Sequence, residues 1–173
     1  LLINAYNAFT LRLILENYPL KSIKDIPAPK RWSAKRWKVA GHVWSLNQIE
    51  HEQIRPKFRE PRVHFALVCA AIGCPPLRSE AYVGARLDEQ LADQTHYVHT
   101  HPRWFQFEPG GRIVRLTMLY DWYAADFKKV AGSVLEYAAR HAPSLRAALD
   151  AGTKPKIRWL DYDWRLNSQE NRP

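Results

Sequence analysis

Two cysteines and two histidines, with carboxylates and amides close by in sequence, are the residues of this chain whose types could open an amide bond. Such chemistry needs a thiolate, an imidazole to carry its proton and a polar group to orient the imidazole. Both thiols lie in one run, Arg62-Val-His-Phe-Ala-Leu-Val-Cys-Ala-Ala-Ile-Gly-Cys-Pro-Pro-Leu-Arg78. Val63 to Val68 reads as a buried strand or a short core helix, and Gly73 to Pro76 must leave it, since neither proline continues a ladder. A sulfur therefore sits where a rigid element meets a loop, a usual place for a nucleophile. Ala70 and Ala71 follow Cys69 and offer amides for an oxyanion hole, whereas the two prolines after Cys74 offer none. This favours Cys69, with Cys74 the competing thiol.

His51 is the candidate base. Asn47 lies one turn before it on the same helix face and could hold the ring, while Glu50 projects about 100° away and shares the pocket less directly. His64 competes, but it precedes Cys69 by five positions, an odd number, so on a regular strand the two would face opposite sides. Three other readings use the same residues. Both cysteines could be small buried hydrophobes. A Cys69–Cys74 disulfide would close a short loop in an oxidising compartment. A metal site would need His51 or His64 as further ligands, and the spacing matches no zinc pattern, so none is assigned. His96, His99 and His101 read as surface or loop residues, with no site.

The helix that must carry His51 is well specified. Ser45-Leu-Asn-Gln48 is a capping box flanked by Trp44 and Ile49 as a hydrophobic staple, so a helix starts at Leu46 and ends near Arg55, before Pro56. Leu1 to Tyr18 carries Leu2, Tyr6, Phe9, Leu13 and Leu15 at helical spacing and stops at Pro19; Asn4 and Asn7, one turn apart, either serve buried backbone or belong to a site. Trp37 to Trp44 reads as two short strands around Ala40-Gly41, and Trp104 to Leu116 as a hairpin turning at Pro109-Gly110-Gly111. Helices are expected over Leu87–Val98, Tyr120–Val130 and Val134–His141, and a strand over Ile157–Leu166. The whole reads as one α+β domain, residues 1–173, with short antiparallel hairpins and packed helices.

Composition bounds the function. A hydrophobic content of 46%, with seven tryptophans and eight tyrosines, suits a packed core and excludes a disordered chain. No run reaches the ~20 apolar residues of a membrane span; Leu1 to Leu20 is broken by Asn4, Asn7, Arg12, Glu16, Asn17 and Pro19. The net charge of +9 favours anionic partners at long range. Lys30, Arg31, Lys35, Arg36 and Lys38 interleave with Trp32 and Trp37, a pattern that single-stranded nucleic acid can use, although a solvated loop anchored by its tryptophans is favoured. The chain opens on Leu-Leu-Ile-Asn rather than methionine, so an upstream portion is expected. A signal segment there would make the protein periplasmic or secreted; the compartment and the oligomeric state stay unassigned.

Several ordered blocks resemble domain-of-unknown-function family 547: Ile3 to Leu11, Leu46 to His51 with Ile54-Arg-Pro56, Pro61 to Cys69, Cys74 to Arg78, Trp122-Tyr123 with Asp126-Phe127, and Tyr162 to Asn167. The resemblance covers nearly the whole chain. Val68, Ala70 and Gly73 depart from the family's usual Asn, Gly and Ser and touch the turn expected to form the oxyanion hole. By analogy the resemblance implies a papain-like or transglutaminase-like thiol fold with histidine ahead of cysteine, as in a circular permutation. It implies Cys69 as nucleophile, His51 as base, Glu50 or Asn47 as its orienting group, and no cofactor. Arg78 would grip a substrate carboxylate, or form a surface ion pair, and His64 would contact substrate. The expected activity is a cysteine-dependent hydrolase or acyl transferase acting on a peptide or small amide. The alternative is a non-catalytic binding or scaffold domain contacting its partner through the basic Trp32/Trp37 segment.

Overall fold

The computed structural model describes residues 1–171. Helix α1 (Leu2–Glu16) turns Ile3, Tyr6, Asn7, Thr10, Leu13 and Ile14 inward, a stripe at the 3.6-residue period. Leu15, expected on that stripe, is 75% exposed. A short helix α2 (Ala28–Arg31) leads to strands β1 (Trp37–Val39) and β2 (His42–Trp44), antiparallel with Trp37 opposite Trp44. Their turn holds Ala40 and Gly41 at φ 49° and 82°, the left-handed pair that a two-residue hairpin of matching twist requires. Helix α3 (Leu46–Gln48) then widens into a π-helical turn over Ile49–Ile54.

The segment Val63 to Val68 resolves as one helical turn, α4 (Val63–Ala66), that becomes extended at Leu67 (φ −82°, ψ 125°). Helix α5 (Leu87–Thr100) follows, then the hairpin of β3 (Phe105–Gln106) and β4 (Ile113–Leu116). The expected helix over Tyr120–Val130 is broken at Tyr123 into α6 (Leu119–Trp122) and α7 (Ala124–Ala131). Helices α8 (Val134–Ala139) and α9 (Pro143–Asp150) precede β5 (Lys156–Trp159), which pairs parallel to β4 while β3 pairs antiparallel to it. Helices with short hairpins and a small mixed sheet make the chain α+β.

Two apolar clusters form. One gathers α1, the β1–β2 hairpin and Leu46, Ile49 and Ile54; the other gathers the three-stranded sheet and α5 to α9. Helix α4 divides its side chains between them: Val63 and Ala66 enter the first and Phe65 the second. A cavity of about 190 Å³ opens along this seam, reached by Tyr6 and Leu67 from one cluster and Leu119 from the other. Among the described residues, no helix is long and apolar enough to cross a membrane.

Candidate active site

The capping box forms as its chemistry requires: Ser45 Oγ accepts from the Gln48 amide at 3.1 Å and Gln48 Oε1 accepts from the Ser45 amide at 3.2 Å. The following turn closes through the Arg55 amide to the Glu50 carbonyl at 3.0 Å, a spacing of five residues, and such widened turns recur at functional sites. Glu50 is 5% exposed, whereas the His51 side chain is 42% exposed, yet both line the cavity.

The cysteine turn is held from several sides. Asn7 acts as a substitute peptide: its Nδ2 donates to the Ala66 carbonyl and its Oδ1 accepts from the Val68 amide, both at 2.9 Å. Asn4 does the same for Tyr82. The two amides on α1 thus serve buried backbone. From the other side the C-terminal tail crosses the turn, with the Ile72 amide donating to Arg165 O at 2.9 Å and that of Gly73 to Asp163 O at 2.8 Å. A Cβ on Gly73 would lie 2.8 Å from the Asp163 nitrogen, so only glycine permits this approach. The expected strand over Ile157–Leu166 therefore ends at Trp159, and its remainder clamps the cysteines.

Cys69 and Cys74 are both free thiols, the first partly buried and the second buried. The Cys69 amide donates to Cys74 Sγ at 3.3 Å, and Cys69 Sγ lies 2.9 Å from Tyr162 Oη. Hydrogen bonding by the Cys74 thiol is the largest influence on Cys69, and with Tyr162 and the Ala71 amide it outweighs burial, holding Cys69 below the usual thiol pKa. The same pairing, reinforced by burial, pushes Cys74 well up. The two thiols are thereby made unlike. Ala70 occupies the left-handed region at φ 59°, a strain of the kind that clusters at functional sites.

The histidines differ by their partners. His64, 2% exposed, sets Nε2 3.0 Å from Asp126 Oδ2, and its Nδ1 is buried without a partner. A carboxylate only accepts, so Nε2 carries the proton and Nδ1 is left as a base. Burial outweighs the pull of Asp126 and lowers the His64 pKa, so the ring rests neutral. His51 places Nδ1 2.9 Å from Arg55 Nη1. A guanidinium only donates, so this contact puts the proton on His51 Nε2. Arg55 in turn donates to Asp126 at 2.6 Å.

Cys69, Cys74, His51, His64, Glu50 and Asn47 all line the one cavity. Parity had set His64 and Cys69 on opposite faces; that rule is for strands, and the helical turn at α4 removes its premise. Asn47 donates to Ser33 Oγ at 3.2 Å, and Glu50 Oε1 lies 4.0 Å from His51 Nδ1, beyond hydrogen-bond reach. Arg78 is not brought to the cavity: its guanidinium pairs with Glu80 at 2.7 Å and Asp93 at 3.5 Å. His99, expected at the surface, is buried on α5 with Nε2 2.6 Å from Tyr120 Oη. Trp37 is 3% exposed and stacks on Phe9, and Trp32 lines the cavity, so the basic segment presents no exposed pair of stacking rings.

Sequence reasoning assigned no role to Asp126, Arg55 or Tyr162. Arg55 carried a signal, standing four residues after His51 on the same helix. Asp126 and Tyr162 belong to segments that resemble the family, but nothing local ties them to residues 62 and 93 positions away. Among the described residues, no group of three or more potential ligands is placed to hold a metal ion.

A family model described as "protein of unknown function, DUF547" matches residues 1–97. Searches of curated proteins and of solved structures found no match. The matched span holds both cysteines and both candidate histidines, while Trp122, Asp126 and Tyr162 lie beyond it. It is more than half of the 173 residues, and the chain belongs to the DUF547 family.

Proposed function

We propose that the protein is a cysteine-dependent hydrolase or acyl transferase acting on an amide or peptide bond, with Cys69 as nucleophile and His64 as its base. One observation carries this reading: a thiol held below its usual pKa lines the same cavity as a histidine whose other nitrogen is fixed by a carboxylate. The Cys69 sulfur attacks the carbonyl carbon and its proton passes to His64 Nδ1. The tetrahedral oxyanion takes a hydrogen bond from the turn, where the Ala70 amide donates to no backbone carbonyl among the described residues. Return of the proton to the leaving amine breaks the C–N bond and leaves a thioester. Water or an acceptor amine then releases the acyl group, with His64 as base again.

His51, the base expected from the sequence, is assigned a different part. With Nδ1 accepting from Arg55 its free nitrogen is a donor, suited to polarising a carbonyl rather than deprotonating a thiol. The test is Cys69→Ala, which removes all turnover of a peptide or amide substrate while the fold stays intact. An equally active variant ends the reading.

A further inference from the structure

Glu50 is a charged group in the cavity that this mechanism leaves unused. It is 5% exposed, and its Oε1 has no hydrogen-bond partner. The nearby cations are committed elsewhere or out of reach: Arg55 is bound to Asp126 at 2.6 Å, and His51 Nδ1 stands 4.0 Å from the carboxylate. Tyr6 and Tyr123 are close enough that the carboxylate, through its charge and through hydrogen bonding to each hydroxyl, adds to burial in raising both phenols, but neither phenol supplies a counter-charge. Burying a carboxylate without a counter-charge is costly, and a cation beside it offsets that cost.

Aromatic rings share the lining. Trp122, Tyr162 and Trp164 pack with centroids 4.7 to 5.7 Å apart, and Trp32 meets Trp164 at 6.3 Å. Rings so clustered favour a cation held against their faces, and Lys24 already lies 3.8 Å from the centroid of Trp164. A cavity of about 190 Å³ admits a group somewhat larger than benzene, the scale of a small amino-acid amide.

We infer that the cavity takes an ammonium group, ion-paired to Glu50 and covered by the tryptophans, so that its substrate is an amide or peptide carrying a free amine close to the scissile carbonyl. This rests on the Cys69 reading only for where the carbonyl lies. The +9 charge acts at long range, whereas the contact chemistry in the cavity is set by Glu50.

The test is a titration of the protein at pH 6 with L-alaninamide, a cation, and with neutral N-acetyl-L-alaninamide, followed by tryptophan fluorescence and by protection of Cys69 from alkylation. The cation should bind at least tenfold more tightly than the neutral probe and should protect Cys69. Glu50→Gln, which mimics a protonated carboxyl, should bring the two probes within twofold of each other. Equal affinities, no binding of the cation, or an undiminished preference in Glu50→Gln would overturn the inference. Should that variant not fold, the wild-type comparison of the probes decides alone. The inference and the function on which it rests fail separately. Amine preference with an inert Cys69 leaves the site and removes the thiol chemistry; a reactive Cys69 with indifferent probes does the reverse.

Discussion

The π-helical turn and the helical turn α4 each deliver a histidine to one cavity, and they prepare it oppositely. The first begins on a self-contained capping box and presents a ring that is 42% exposed, with a guanidinium on its Nδ1. The second is a single turn between two apolar clusters, and its ring is buried with a carboxylate on Nε2. One neighbour only donates and the other only accepts, so of two identical side chains one is left with a donor nitrogen and the other with an acceptor. The second partner of an imidazole, more than its position in the chain, decides what the imidazole can do.

Asp126→Asn attacks this contrast most directly. An amide can donate to His64 Nε2, releasing the tautomer that leaves Nδ1 free, and a loss of about 10²- to 10⁴-fold in acylation of Cys69 is expected in single-turnover kinetics. The same pair has a signature in acid. Hydrogen bonding to His64, with Arg55, holds the Asp126 carboxyl below its usual pKa, so its stabilisation is complete above about pH 4 and fades as pH falls further. His64, lowered chiefly by burial, adds stability that is present above about pH 6.5 and fades below it. Urea midpoints should fall for the wild type between pH 7 and pH 3, and a flat profile would exclude both contributions.

Asn7→Ala comes next, because it strands a buried carbonyl and a buried amide between α4 and Cys69. A loss of about 2 to 4 kcal/mol is expected in urea unfolding. Tyr162→Phe removes one hydrogen bond from the Cys69 sulfur and should raise that thiol's pKa, read as slower alkylation near neutral pH. Ser45→Ala weakens only the His51 side, by about 1 kcal/mol. His51→Gln should change acylation least, about threefold, since glutamine keeps a donor and the base stays in place.

What the sequence disclosed was whatever local chemistry specifies. The capping box at Ser45, the hairpin at Ala40-Gly41 and the stop before Pro19 each lie within a few residues of their causes, and each forms. The π-helical turn was not legible, because α and π turns draw on the same side chains and differ in one backbone bond. The relation of His64 to Cys69 was misjudged because an apolar run of this length fits a strand and a core helix alike. The Asp126 and Tyr162 contacts and the Gly73 close approach join segments far apart in the chain, and no periodicity encodes such pairs. Arg78 shows the reverse limit: its type suited a substrate carboxylate, but acidic neighbours from its own loop and from α5 occupy it.

The most direct measurement is the rate at which iodoacetamide alkylates Cys69 at pH 6 and pH 9 in the wild type, His64→Asn, Asp126→Asn and His51→Gln. His64→Asn and Asp126→Asn should slow labelling at pH 6 by about tenfold or more and approach the wild type at pH 9, where solvent base removes the thiol proton. His51→Gln should stay within about threefold at both pH values. Loss of labelling at pH 6 in His51→Gln, with His64→Asn unaffected, would contradict the assignment of the base and return that role to His51.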